Sequence, residues 1–221
     1  AGVADMSMDA AESAAALAQS IGVGPEARAF ESAEALAADP KVDALWVCAP
    51  NHARIQVLEG IRDGAVNRAE PLKGICAEKP LARTLAEALE VQALGKEIGA
   101  PTGYLEDMLF APSLVRGREV LWRRGAANAG RPYLARASEE HGGPHSAWFW
   151  KKETAGGGVL LDMMCHSIEA ARWMLTEPGA PRDSLTPIEV SATCANLKWI
   201  QPKYAAQLSE KFGGEVDWAA D

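Results

Sequence analysis

The chain has 221 residues, room for one large domain or two small ones. It is 48% hydrophobic and 24% charged, which supplies a core, and its net charge of −8 with no basic block makes it a poor partner for a phosphate backbone. No apolar run approaches the roughly 20 residues of a membrane helix. The opening AGVADMSMDA lacks the basic and apolar regions of a secretory signal. Cys48, Cys76, Cys165 and Cys194 form no CxxC pair, which fits reduced thiols in a cytoplasmic protein.

Along the chain, AGVAD reads as the end of a buried strand closed by an acid. Asp9 and Glu12 resemble a capping arrangement, and an alanine-rich helix runs from there to Ile21. Ser32 caps a short helix ending before Asp39. The apolar run ALWVCA, residues 44–49, has strand length and no alternation, as expected for a parallel strand covered on both faces. A helix over residues 53–62 leads to GICAEKP, a second short apolar run ending in charge. Thr84 and Glu87 form a capping box for a helix that Gly99 stops, and residues 102–105 read as another strand. This alternation predicts βαβ units and a Rossmann-type parallel sheet over residues 1–106.

Beyond Glu106 the character changes, and a second, α+β domain is expected over residues 107–221. Pro112 opens a helix to Trp122, PYLARASEE alternates like a strand, and a Gly/Trp/His-rich loop follows. One helix is predicted over residues 159–175. Ile188, Val190, Ala192 and Cys194 alternate with polar residues as a half-buried strand of a mostly antiparallel open sheet.

In open α/β sheets ligands bind beyond the carboxyl ends of the strands, so Asp5, Pro50-Asn51 and Glu78-Lys79 are the first candidates. An acid at Asp5 suits a ribose diol and so favours NAD over NADP; the plainer alternative is a turn cap. Lys79 can donate to an oxygen that becomes negative, or it is a surface lysine paired with a glutamate. Asp162 and His166 stand four apart on one predicted helix, where an imidazole can take a proton and a carboxylate can orient it; a satisfied, partly buried histidine is the alternative. His145, Trp148 and Trp150 either wall a sugar or nicotinamide site or belong to the core. The string Gly22–Ala27 fits G-x-G-x-x-A but follows a helix, so it is not read as a phosphate loop. His141 and His145 with His166 and Asp162 have the residue types of a metal site, but the Gly-Gly-Pro interior argues against one, and no metal is expected.

Taken together, APNHARI, CAEKPLARTLAEA and GGGVLLDMMCHSIEAARWML resemble the Gfo/Idh/MocA oxidoreductases from Ala1 to about Trp199. The resemblance implies a Rossmann domain binding NAD or NADP, and an α/β domain whose open sheet forms homo-oligomer contacts. It also implies a sugar, cyclitol or polyol substrate. Lys79, Asp162 and His166 match the catalytic set, Pro50, Asn51 and Glu78 the nicotinamide side, and Glu106 the polar residue leaving the strand between the domains, read as substrate-binding. The implied reaction interconverts a secondary alcohol and a ketone, with His166 as the base. A redox-neutral enzyme retaining NAD, or a non-catalytic sugar-binding protein, is the competing reading. The pattern departs from the family at three places. Only four residues precede Asp5 where a glycine-rich turn is expected, as in a fragment. The histidine usually found shortly after Pro-Asn is unmatched, with His52 too early and Arg54 beyond it. Met163-Met164 replaces a small residue.

Overall fold

A computed structural model describes residues 1–24, 26–140 and 142–213. The chain parts into two compact units, Ala1–Leu105 and from Glu106 onward.

The first unit alternates strand and helix: β1 (Gly2–Ala4), α1 (Met8–Ser20), β2 (Arg28–Phe30), α2 (Ala33–Ala38), β3 (Ala44–Val47), α3 (Arg54–Ala65), β4 (Gly74–Glu78), α4 (Leu85–Ile98) and β5 (Thr102–Leu105). β1 pairs with β2, and β3, β4 and β5 form a second sheet in that order, every pairing being parallel.

Capping follows the side-chain chemistry closely. Ser7 accepts from the Ala10 amide, so α1 is capped two residues earlier than the Asp9 signal suggested. Ser32 accepts from Ala35 at 3.0 Å and Thr84 from Glu87 at 3.2 Å. Gly99 closes α4 at φ 73. Leu45, Val47, Ile75 and Ala77 bury against Ala37 of α2, Leu58 and Ile61 of α3, and Val91 and Leu94 of α4. Gly64 makes this packing possible, because a Cβ there would lie 2.2 Å from the Glu34 carbonyl oxygen.

Two expectations for this unit need correction. β3 is not covered on both faces: Leu45 and Val47 are buried, but Trp46 on the opposite face is 64% exposed. An indole tolerates that position because its N–H reaches Glu78 Oε1 at 3.2 Å. β2 was not foreseen; its three residues, Arg-Ala-Phe, are too few for alternation to register.

The second unit contains α5 (Pro112–Val120), α6 (Ala126–Ala129), α7 (Lys152–Ala155), α8 (Gly158–Asp162), α9 (Met164–Leu175) and α10 (Pro202–Phe212). Arg118 and Trp122 of the α5 segment donate to the Trp173, Thr176 and Met174 carbonyls, satisfying the C-terminal turn of α9. Neither expected strand forms. Residues 132–140 and 188–194 are irregular, and Ile188 and Val190 are 99% and 83% exposed. An alternating segment becomes a strand only when a neighbour takes its backbone hydrogen bonds, and among the described residues of this unit no strand is present to do so.

The single helix predicted over residues 159–175 is two. The Cys165 thiol donates to the Asp162 carbonyl at 3.3 Å, while the His166 amide bonds to Met163 O at 3.1 Å instead of reaching back four residues. α8 therefore ends at Asp162 and α9 starts at Met164. Gly156, at φ 94, terminates α7 and re-aims the chain into α8, a conformation that a Cβ disfavours.

Candidate active site

In the first unit the candidates gather at the carboxyl ends of the strands. Asp5 follows β1, is exposed, and accepts the Ser7 amide on Oδ1 at 2.9 Å. It is thus a turn cap that keeps acceptor capacity on its other oxygen. Asn51, 5% exposed, opens the short turn after Pro50, and Lys79, half-buried, follows β4 ahead of a cis bond to Pro80.

What holds these loops together is Arg54, whose position drew notice from the sequence only as a departure from the family pattern. It is 2% exposed, and its guanidinium donates Nη1 to the carbonyls of Glu78 and Pro80 and Nη2 to that of Ala49 at 2.7 Å. One planar fork therefore ties the exit of β3 to the loop carrying Lys79. Burial pulls this guanidinium below its usual range; the charges of Tyr104, Glu78 and Cys48 oppose the shift. Burial likewise pushes the neighbouring Cys48 thiol up, aided by Glu78.

These residues fit one side of a dinucleotide: a carboxylate acceptor at a strand end for a ribose diol, and a lysine on a loop fixed by Arg54. In the string Gly22–Ala27, Gly22 at φ 75 terminates α1 and the Gly24 amide bonds to Ala18 O at 3.2 Å.

In the second unit, His166 is buried on α9 and its Nδ1 forms a short hydrogen bond with Glu106 Oε1, sixty residues away in the chain. Glu106 is 5% exposed; the same Oε1 also accepts the Met108 amide at 3.2 Å, whereas Oε2 is buried with no hydrogen-bond partner. Asp107 Oδ1 stands 4.0 Å from the same ring nitrogen, on an exposed side chain. The carboxylate that meets the imidazole is therefore that of Glu106, which the sequence reading placed among substrate ligands, and the helix expected to carry Asp162 and His166 on one face breaks between them. Asp162 itself is half-buried at the end of α8.

The aromatic wall is also corrected. Trp150, 2% exposed, packs edge-on to Trp199 with ring centroids 4.9 Å apart and beside Phe212 of α10, so it is core, the alternative the sequence left open. Trp148 is half-buried and stacked on Phe149, and His145 is exposed. His141, considered with His145 as a metal ligand, lies outside the described residues. No disulfide joins any of the four cysteines, and no helix among the described residues is long and apolar enough to cross a membrane.

Residues 1–103 match the family described as "Oxidoreductase family, NAD-binding Rossmann fold", and residues 125–202 match the "GFO/IDH/MocA C-terminal domain". The chain belongs to the GFO/IDH/MocA oxidoreductase family. Like its relatives in that family it has an NAD-binding Rossmann fold in its first unit and an α/β architecture overall. It is 33% identical over 181 residues to a 1,5-anhydro-D-fructose reductase of Ensifer adhaerens, which covers 80% of this chain and 50% of that protein. To a D-xylose dehydrogenase of Paenarthrobacter nicotinovorans it is 34% identical over 103 residues, or 42% of this chain and 25% of that one. Among solved structures, GenD2 from gentamicin A biosynthesis in complex with NAD superposes with a TM-score of 0.57 at 25% identity, over 79% of this chain and 45% of its own. The chain spans half or less of the length of these GFO/IDH/MocA relatives.

Proposed function

We propose that this GFO/IDH/MocA protein is an NAD(P)-dependent oxidoreductase that interconverts a secondary alcohol and a ketone on a sugar, cyclitol or related polyol. The observation that carries the reading is the buried Glu106–His166 pair. A carboxylate on Nδ1 keeps that nitrogen's proton in place, leaves the Nε2 lone pair as the base, and stabilises the imidazolium that forms when the substrate hydroxyl gives up its proton. Glu106 therefore takes the orienting role that the sequence suggested for Asp162, and Asp162 tunes the charge around the pair. Lys79, on the loop that Arg54 holds, donates to the substrate oxygen as it becomes negative. Asp5 accepts from the ribose hydroxyls, which favours NAD over NADP, and Pro50, Asn51 and Glu78 line the nicotinamide side. When bound, the nicotinamide supplies the hydride acceptor.

The sugar class is supported by the relatives, whose names give an anhydro-sugar reductase and a xylose dehydrogenase. The test is net formation of reduced nicotinamide when the full-length enzyme meets NAD and a panel of sugars and cyclitols. His166→Ala is expected to lower kcat by about 10²–10⁴-fold, the range of a positioned acid–base group. Bound cofactor without net turnover would instead favour redox-neutral chemistry, and unchanged kcat in the variant would remove His166 from the reaction.

A further inference from the structure

The Glu106–His166 pair has a third neighbour that the reaction does not use. A carboxylate oxygen of Glu106, a ring nitrogen of His166 and Sγ of Cys165 all lie within 4.8 Å of one another. Glu106 and His166 are buried and Cys165 half-buried. The three belong to the same unit: Glu106 sits ahead of α5 and the other two on the first turn of α9. They are brought together by the helix break at Met163, which gives the Cys165 thiol its hydrogen bond to Asp162 O. Independently of that cluster, Glu106 Oε2 is an acceptor buried with no donor, while Oε1 receives both the Met108 amide and the imidazole. A buried carboxylate oxygen left without a partner costs free energy, and a cation is one group that relieves it.

We propose that Glu106, Cys165 and His166 form a binding site for a zinc-class divalent ion, and that the ion inhibits the enzyme by taking the place of the proton shared between Glu106 and His166. The donor set decides the class. Thiolate, imidazole and carboxylate together suit Zn²⁺, whereas Mg²⁺ and Ca²⁺ take oxygen ligands. With bonds of about 2.0–2.3 Å, tetrahedral ligand atoms stand about 3.3–3.6 Å apart, so side-chain rotations of about an ångström close the present cluster on an ion. Three protein ligands leave one coordination position open, for water or a substrate hydroxyl. In balance, Zn²⁺ enters, the Cys165 thiol releases its proton, the imidazole proton passes from Nδ1 to Nε2, and nothing is oxidised or reduced. This set differs from the histidine grouping considered in the sequence, because nothing in the spacing of Glu106 and Cys165 brings them together.

Ion binding stands on the geometry alone; the inhibition rests on the function proposed above. Two measurements keep the two apart. In the full-length protein, Co²⁺ is added as a spectroscopic probe and Zn²⁺ is titrated against a chromophoric chelator, in the wild type and in Cys165→Ser. The expected result is a thiolate-to-cobalt absorption band in the wild type that is absent in Cys165→Ser, with Zn²⁺ bound at least about tenfold more weakly by the variant. Zn²⁺ is also expected to protect Cys165 of the wild type from alkylation, read by peptide mass, which needs no variant to fold. Absence of the band, equal Zn²⁺ affinity in the two proteins, or alkylation of Cys165 unaffected by Zn²⁺ overturns the site. For inhibition, Zn²⁺ is expected to reduce turnover reversibly, with a chelator restoring it and Cys165→Ser, compared with its own zinc-free rate, needing at least about ten times more Zn²⁺. Binding without any turnover to inhibit would sink the proposed function and leave the site standing; binding with undiminished turnover would sink the inhibition.

Discussion

Replacing Arg54 tests the claim that one buried guanidinium organises the cofactor side of the first unit. In Arg54→Met the apolar stem is kept and three carbonyls lose their donor. That of Pro80 is in a buried bond, so its full desolvation penalty of about 1–3 kcal/mol is felt, while those of Ala49 and Glu78 are partly exposed and recover water. Against this, the variant no longer buries a guanidinium whose Nε has no partner. The expected loss is about 1–3 kcal/mol, a sizeable share of the roughly 5–15 kcal/mol that holds a domain. For an m-value of about 2 kcal/mol/M, the urea midpoint falls by about 0.5–1.5 M. Trp46 is the one tryptophan among residues 1–105 and lies on the strand that Arg54 ties to β4, so emission differenced against Trp46→Phe follows this unit. Arg54→Lys should recover only part of the loss, because an ammonium is a point donor and cannot span three carbonyls as the fork does. The same variants should raise the KM for NAD, since the loop bearing Lys79 is no longer fixed. A loss below about 1 kcal/mol in Arg54→Met, or full recovery by lysine, would refute the clamp.

Three further outcomes follow from other parts of the structure. Glu106→Gln should lower kcat by about a hundredfold or more while leaving the KM for NAD in place, because a neutral amide no longer stabilises the imidazolium; equal loss in both parameters would indicate a merely structural carboxylate. Arg83 donates from its side chain and backbone to Glu87 and holds that carboxyl below its usual range against the effect of burial. A carboxyl lowered in the folded state adds stability above its unfolded pKa and loses it as the pH falls through the folded value. Glu87→Gln should therefore cost about 0.5–1 kcal/mol at neutral pH, with the difference shrinking as the pH falls below the ordinary carboxylate range, measured by urea midpoints. Gly156→Ala, at φ 94, should lower Tm by about 2–8 °C, against almost no change for Gly142→Ala, where a Cβ meets nothing within 4 Å.

What could be read from the sequence follows the range of the interactions involved. Ser32, Thr84 and Gly99 act within four residues of themselves, so the bounds of α2 and α4 were visible in composition. The apolar runs ALWVCA at residues 44–49 and GICAEKP at residues 74–80 pointed to β3 and β4 for the same reason. The expected strands at residues 132–140 and 188–194 failed because a strand depends on a partner elsewhere. Alternation describes which faces differ, and it is silent on whether a neighbour exists to pair with. Trp150 was ambiguous because an aromatic residue serves a binding wall and a core with the same surface, and only the packing against Trp199 and Phe212 decides.

The site itself shows the limit most sharply. Spacing of four pointed to Asp162 as the partner of His166, on the premise of an unbroken helix. The helix breaks there instead: the Cys165 thiol bonds to the Asp162 carbonyl, the His166 amide bonds three residues back, and α9 starts anew at Met164. The imidazole Nδ1 meets Glu106, a residue whose only local signal was an acid at the end of β5. A link between the break and the pairing is testable. Cys165→Ala removes the thiol donor, so the 162–166 segment is free to recover regular i→i−4 bonding. If the break sets the imidazole's direction, that variant should weaken the Glu106–His166 hydrogen bond, seen as an upfield shift of the His166 Nδ1 proton resonance. An unshifted resonance would mean that Glu106 alone fixes the ring and that the helix break only accommodates it.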